Sequence, residues 1–160
     1  MKLKGKVILI ISPERWGKVY VSKHHYALAL AKRGNTVFFL NPPNLFKSLK
    51  IDITIIDNNL KTIDYKPFFR GSNRLPIVFR KIFHKILANK IINSIDLSID
   101  IVWSFDPSSF QYMSAFGAQL NIFHPVVVHR PRFERAIARN ADLIIATSIN
   151  ILERYKGVNK

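Results

Sequence analysis

The chain has 160 residues, 48% of them hydrophobic, with no cysteine and a formal net charge of +15. That length accommodates one domain with a real apolar core but not two full ones, and the lack of cysteine excludes a disulfide framework and any thiolate metal site. A positive field of this size attracts nucleic acid, anionic lipid headgroups or a phosphorylated substrate, and composition does not choose among them.

Val7-Ile8-Leu9-Ile10-Ile11 is a continuous apolar run of the kind a buried parallel strand needs. It stops at Ser12-Pro13-Glu14-Arg15, too short for the apolar region of a secretory leader and with no small-residue cleavage site behind it. The expectation is a first strand in a cytoplasmic protein, and no stretch approaches the roughly 20 apolar residues of a membrane-spanning helix. Ser22 to Arg33 has a helical pattern, with Ser22 placed as N-cap and Gly34 as the residue just past the end. Lys32 and Arg33 fall in its last turn, where the helix dipole favours cations. Arg15, Lys23, His24 and His25 gather at the opposite end, where about half a positive elementary charge disfavours each by a few tenths of a kcal/mol. An anionic group close to that end would reverse the sign.

Thr36 to Leu40 is a second strand, closed by Asn41-Pro42-Pro43. Two weaker strands follow at Ile53 to Ile56 and Lys61 to Tyr65, with a turn at Asp57-Asn58-Asn59. A longer helix runs from Pro76 to Asn93, its apolar side written by Phe79, Ile82, Phe83, Ile86 and Leu87. Strands at Ile101 to Phe105, Leu120 to Phe123 and Leu143 to Thr147 then alternate with helices at Ser108 to Ala115, Phe133 to Arg139 and Asn150 to Tyr155. Such alternation means an α/β fold: a Rossmann-like, mainly parallel sheet with helices on both faces. Ligands of such sheets sit outside the carboxyl ends of the strands. That places attention on Ser12 to Val21, Asn41-Pro42-Pro43, Asp106-Pro107-Ser108, His124-Pro125 and Thr147-Ser148.

The first of these loops has no G-x-G-x-x-G, and Asn41 follows the second strand where a dinucleotide-binding domain places an acidic residue, so NAD is disfavoured. No P-loop sequence occurs. Arg15, Trp16, Gly17 and Lys18 suit a sugar or phosphate by charge, stacking and close backbone approach, while the plainer reading is a surface loop with Trp16 tucked beneath it. His24 and His25 point about 100° apart on a helix and do not share a metal; one packs on the sheet while its neighbour lines the cleft. Both are expected to be neutral near a helix N-terminus. His124, directly after a strand, is a candidate ligand contact. Asp106 either accepts a hydroxyl proton or closes an Asx-turn ahead of Pro107. No metal site is indicated.

Between Tyr65 and Ile95 there is no acidic residue, while Lys66, Arg70, Arg74, Arg80, Lys81, Lys85 and Lys90 accumulate. With Phe68-Phe69 and Leu75-Pro76-Ile77 ahead of it, the long helix fits an interfacial contact with an anionic membrane, Arg74, Arg80, Lys81 and Lys85 facing the lipid. The alternative is an ordinary sheet-packing helix with a solvated basic face. A second basic cluster comprises His129, Arg130, Arg132, Arg135 and Arg139. Nucleic acid is the disfavoured partner, because no helix-turn-helix, RNP or zinc-finger pattern is present.

VILIIS, then SKHHYALALAKRGNTVFFLNPP, DIVWSFDP, LNIFHP and above all ARNADLIIATSINILERYK resemble the N-terminal half of a GT-B glycosyltransferase, close to the family 4 (group 1) type. The resemblance covers residues 1–160 and implies a Rossmann-like acceptor-side domain facing a C-terminal domain that holds a nucleotide-sugar, the co-substrate of the full enzyme, with no metal or other cofactor. It implies transfer of a hexose to a cell-surface polysaccharide or glycolipid, carried out at the inner face of the membrane and not by this half alone. By the same likeness His124 matches a histidine that approaches the donor sugar, although His124-Pro125 stands where the family commonly has H-D. Residues 13–21 match the acceptor-side loop, although Gly17 stands where a G-G pair is frequent. The residues expected to bind substrate are Arg15, Trp16, Gly17, Lys23, His24, His25, Asp106 and His124. The reading from another class is a non-enzymatic basic module for nucleic acid or anionic membrane.

Overall fold

A computed structural model describes residues 3–46, 50–67, 75–126 and 131–158. The central strand is β1 (Val7–Ile11), the apolar run near the start of the chain. It pairs in parallel with β2 (Thr36–Leu40) on one side and β5 (Ile101–Ser104) on the other. Beyond β2 lie β4 (Leu60–Asp64), also parallel, and β3 (Asp52–Asp57), which turns back antiparallel at the edge. Beyond β5 lie β6 (Leu120–Phe123) and the short β7 (Leu143–Ile144), both parallel. The sheet order is β3-β4-β2-β1-β5-β6-β7, so the direction of winding reverses between β1 and β5. The α/β, mainly parallel expectation holds.

Alternation along β1 divides the core. Ile8 and Ile10 join Val37, Phe39 and the buried residues Ala27, Leu30 and Ala31 of helix α1 (Ser22–Lys32) on one face. Leu9 and Ile11 join Phe38, Leu40 and the residues Leu87, Ala88, Ile91 and Ile95 of helix α2 (Ile77–Ile95) on the other. A strand buried on both faces has no polar positions to spare, which is why β1 is written entirely in apolar residues. Its start is fastened by Asp100, whose carboxylate accepts from the Val7 amide at 2.8 Å and from Lys6 Nζ at 3.1 Å. Buried Asn35 fastens the adjacent turn, accepting from the Lys6 amide at 3.1 Å and donating to the carbonyls of Leu3 at 3.1 Å and Leu30 at 2.9 Å.

Helix α1 ends as expected, with Gly34 at a φ of +82. It begins differently: Val21, not Ser22, is the N-cap, because Nδ1 of His24 accepts from the Val21 amide at 3.1 Å. That is the reciprocal half of a capping box, made by histidine where Glu or Gln is usual. The expected helix over Ser108 to Ala115 is instead a turn followed by one 3-10 turn at Met113–Phe116. Side chains take the backbone groups a helix would pair: Asp106 accepts from the Ser108 amide at 2.7 Å, and Gln111 donates to the carbonyls of Pro107 at 3.0 Å and Ser108 at 2.9 Å. Helices α3 (Pro131–Ala138) and α4 (Ile149–Glu153) complete the chain.

The orientation of α2 departs most from the sequence reading. Of its expected inward residues only Leu87 is buried and Phe83 half-buried; Phe79, Ile82 and Ile86 face outward, Phe79 at 54% exposure. The inward face carries Arg80 and His84 as well as the apolar residues. Arg80 is therefore not a membrane-facing residue: it is 7% exposed and points toward the core, while Lys81 and Lys85 are exposed. Arg74, with Phe68, Phe69, Arg70, His129 and Arg130, lies outside the described residues. Among the described residues no helix is long and apolar enough to cross a membrane.

Candidate functional site

The carboxyl ends of β1 and β5 flank the point where the winding reverses, the position at which open α/β sheets bind ligands. The loop after β1 is built into this crest by short bonds. Ser12 Oγ donates to the Glu14 carbonyl at 2.7 Å and accepts from the Glu14 amide at 3.1 Å. Asn41, after β2, accepts the Trp16 amide at 2.8 Å and donates to Asp64 at 3.1 Å. Arg15 pairs with the same Asp64 carboxylate at 2.5 Å. Trp16 lies over Phe39 with centroids 5.0 Å apart and an interplanar angle of 77°, and touches Tyr20 and His24.

These contacts change the roles of several residues that the sequence marks for substrate. Arg15 and Trp16 fix the loop to β2 and β4. His24 is fully buried, stacked between Tyr20 and Phe39, and uses both ring nitrogens: Nδ1 caps α1, so Nε2 carries the proton and donates to the Arg15 carbonyl at 3.2 Å. It holds the loop and offers no edge to a ligand. Gly17 has open space around it: a Cβ would meet only the Arg15 carbonyl, at 3.9 Å. The cationic start of α1 is answered from within the chain, for Glu14 forms an ion pair with the ammonium of Lys23.

Lys23 and His124 do come together. Lys23 is buried, its Nζ 5.9 Å from the centroid of Phe105, and His124 packs on the same ring with centroids 4.8 Å apart. Trp103 stacks on His124 at 6.0 Å and 13°, and Tyr26 stacks on Trp103 at 5.3 Å and 22°. Burial, and then the charge of Lys23, lower the pKa of His124, so at pH 7 it is a neutral imidazole. Its Nδ1 is buried without a partner. His25 is exposed, with its ring edge-on to Tyr20. The α1 side of the crest is thus an aromatic group with one neutral imidazole and one ammonium.

Asp106 belongs to the other side. It is 2% exposed, and its oxygens accept from the amide and hydroxyl of Ser108 and from the hydroxyl of Ser109. Of the two sequence readings, the Asx-turn is the one formed. It lines a cavity of about 180 Å³ with Pro13, Pro42, Tyr65, Arg80 and His84. Tyr65 is fully buried, which raises its pKa, and burial together with the charge of Arg80 lowers that of His84 to about 4. Sequence reasoning passes over His84 and reads Arg80 as facing the membrane, because the two share an otherwise apolar helix face; the signal for their place in the cavity is a four-residue spacing in register with Leu87, Ala88 and Ile91. Among the described residues, no three His, Asp or Glu side chains converge as metal ligands.

No family model matches the chain, and no curated protein matches it in sequence. Solved structures do match. The backbone is similar to that of a sucrose-phosphate synthase from Thermosynechococcus elongatus, with a TM-score of 0.58 and 16% identity over 94% of this chain and 80% of that one. It is similar also to an α,α-trehalose 6-phosphate synthase from Burkholderia multivorans, with a TM-score of 0.63 and 12% identity over 96% of this chain. These neighbours are GT-B glycosyltransferases. This chain shares the mainly parallel, Rossmann-like α/β fold of the part of them that it matches. A UDP-forming α,α-trehalose-phosphate synthase from Burkholderia vietnamiensis matches with a TM-score of 0.63 and 9% identity over 97% of this chain. The chain spans 43% and 42% of the two trehalose-phosphate synthase structures, so the likeness is to one part of each.

Proposed function

We propose that this chain is the N-terminal, acceptor-side domain of a glycosyltransferase of the family 4 type that transfers a hexose from a nucleotide-sugar to a cell-surface polysaccharide or glycolipid. A C-terminal domain holds the donor, and this part alone does not catalyse transfer. The observation that carries the reading is the cluster at the switch point of a GT-B-like sheet: Lys23, His124 and the rings of Tyr26, Trp103 and Phe105. Tyr26 and Trp103 offer a face on which a sugar ring stacks. The neutral imidazole of His124 is suited to exchange a hydrogen bond with a sugar hydroxyl, while the buried Lys23 ammonium, paired with Glu14, helps keep that imidazole neutral. Titrating the isotopically labelled chain with a lipid-linked glycan acceptor tests this. Shifts at Lys23, His25, Tyr26, Trp103 and His124 are expected; shifts confined to β7 and α4, at the far edge of the sheet, contradict it.

The outer face of α2 supports an anionic membrane as the place of action. Val78, Phe79, Ile82 and Ile86 form an exposed apolar stripe at three- and four-residue spacing, with Lys81 and Lys85 exposed alongside. Each lysine near an anionic bilayer adds about 1 kcal/mol of attraction. Co-sedimentation with anionic vesicles, lost in Phe79→Ser/Ile82→Ser and absent with neutral vesicles, is the expected result. Equal binding to both vesicle types, or none, contradicts it.

A further inference from the structure

The inner face of α2 directs two nitrogen-bearing side chains into the cavity beside Asp106. Arg80 is 7% exposed, yet its Nε has no partner, and the hydrogen bond it donates to Gln111 Oε1 is long at 3.4 Å. Its guanidinium lies 6.0 Å from the Phe133 ring, which supports the cation without neutralising it. Among the described residues none of its hydrogen bonds goes to a carboxylate. His84 is likewise 7% exposed, packed against Phe110 and Tyr112, with Nδ1 unpartnered. Asp106, the acid in the same lining, spends its oxygens on Ser108 and Ser109. A buried guanidinium without an anion is costly, and its planar fork matches a phosphate or carboxylate.

We propose that this cavity is an oxyanion site, in which Arg80 holds the phosphate or carboxylate group of a hydroxylated ligand, His84 stands beside that group, and the serine hydroxyls after β5 meet the ligand's own hydroxyls. The anion site stands on the geometry of α2 alone. Naming its ligand as a sugar phosphate or sugar acid, the anionic part of the acceptor, rests on the glycosyltransferase reading above.

The test is an NMR titration of the full chain with inorganic phosphate, glucose 6-phosphate, glucuronate and, as the neutral control, glucose. Phosphate is expected to give saturable shifts at Ser108, Ser109 and the His84 ring and to raise the pKa of His84, because an adjacent anion favours the imidazolium. Arg80→Gln should weaken phosphate binding about tenfold or more, while exposed Lys81→Ala should leave it unchanged. No saturable shift in the wild-type chain, or the same affinity in Arg80→Gln, overturns the site, and the wild-type titration decides even if the variant does not fold. Tighter binding of glucose 6-phosphate or glucuronate than of phosphate supports the hydroxylated ligand; weaker binding of both overturns that part. The same spectra report on His124 separately, so a silent His124 with a responsive Arg80 cavity counts against the glycosyltransferase reading and not against the anion site.

Discussion

Acidification should expose the cost of burying His84. Its pKa falls from 6.5 to about 4 on folding, because its burial disfavours the imidazolium and the Arg80 charge adds repulsion. Between those values the unfolded chain binds a proton that the folded chain refuses, so stability rises with pH across that window and is lost as pH falls through it. At 1.36 kcal/mol per pH unit, the full lowering corresponds to roughly 3 kcal/mol. Carboxylates also protonate in this range, so the informative quantity is the difference between wild type and His84→Gln, in which those titrations cancel. Urea unfolding followed by circular dichroism, in buffers free of phosphate and carboxylate, measures it at intervals from pH 7 to 4. The wild-type advantage should shrink by on the order of 3 kcal/mol as pH falls. A difference that stays constant would mean that His84 is solvated or charged in the native state, and the reasoning about the cavity beside Arg80 would fail with it.

Four further outcomes follow from other parts of the fold. Removing the Lys23 charge with Lys23→Met should raise the pKa of His124, read from the imidazole proton shifts, since that ammonium contributes to holding it down. Asn35→Ala leaves the Lys6 amide and the Leu3 carbonyl without their side-chain partner, takes one of three donors from the Leu30 carbonyl, and should cost about 2–4 kcal/mol in chemical denaturation. Gly34→Ala forces a side chain into a left-handed residue whose Cβ would also touch Lys4, and should cost about 1 kcal/mol or more by the same assay. Asp100, held low mainly by the Val7 amide and also by Lys6, stabilises the fold above the ordinary carboxylate range and loses that effect as pH falls through its lowered pKa. Asp100→Asn should therefore be less stable at pH 7 and show a shallower loss below about pH 4.

What was legible in the sequence is what local pattern decides. β1 and β2 announce themselves as apolar runs because both their faces are buried, and Gly34 marks the end of α1 because a left-handed residue is needed there. The partners of loop residues were not legible, since they come from distant strands: Arg15 meets Asp64 across 49 positions, and Trp16 is held by Asn41. The orientation of α2 was ambiguous for a different reason. Phe79, Ile82 and Ile86 form one apolar stripe and Leu87, Ala88, Ile91 and Ile95 another, so the helical period admits two inward faces. The inward stripe contains Ala88, fully buried, which lets the helix lie close to the sheet. It also brings Arg80 and His84 inward, against the ordinary rule for charged and polar residues. A violation of that kind is expected where a site, and not packing alone, sets the residue.

The two halves of the crest are separated by a single residue step. Phe105 and Asp106 follow β5 consecutively, and their side chains part to opposite faces of the sheet, Phe105 into the aromatic group around His124 and Asp106 into the cavity beside Arg80. Pro13 and Trp16 divide in the same way after β1, Pro13 lining the cavity and Trp16 lying over Phe39 on the α1 side. The α1 half offers flat apolar surface and a neutral imidazole, while the α2 half offers a cation in a small cavity. A compact neutral sugar gains from the first alone. A ligand with a ring at one end and an oxyanion at the other matches both, and the crest formed by β1 and β5 sets how far apart those two groups must lie.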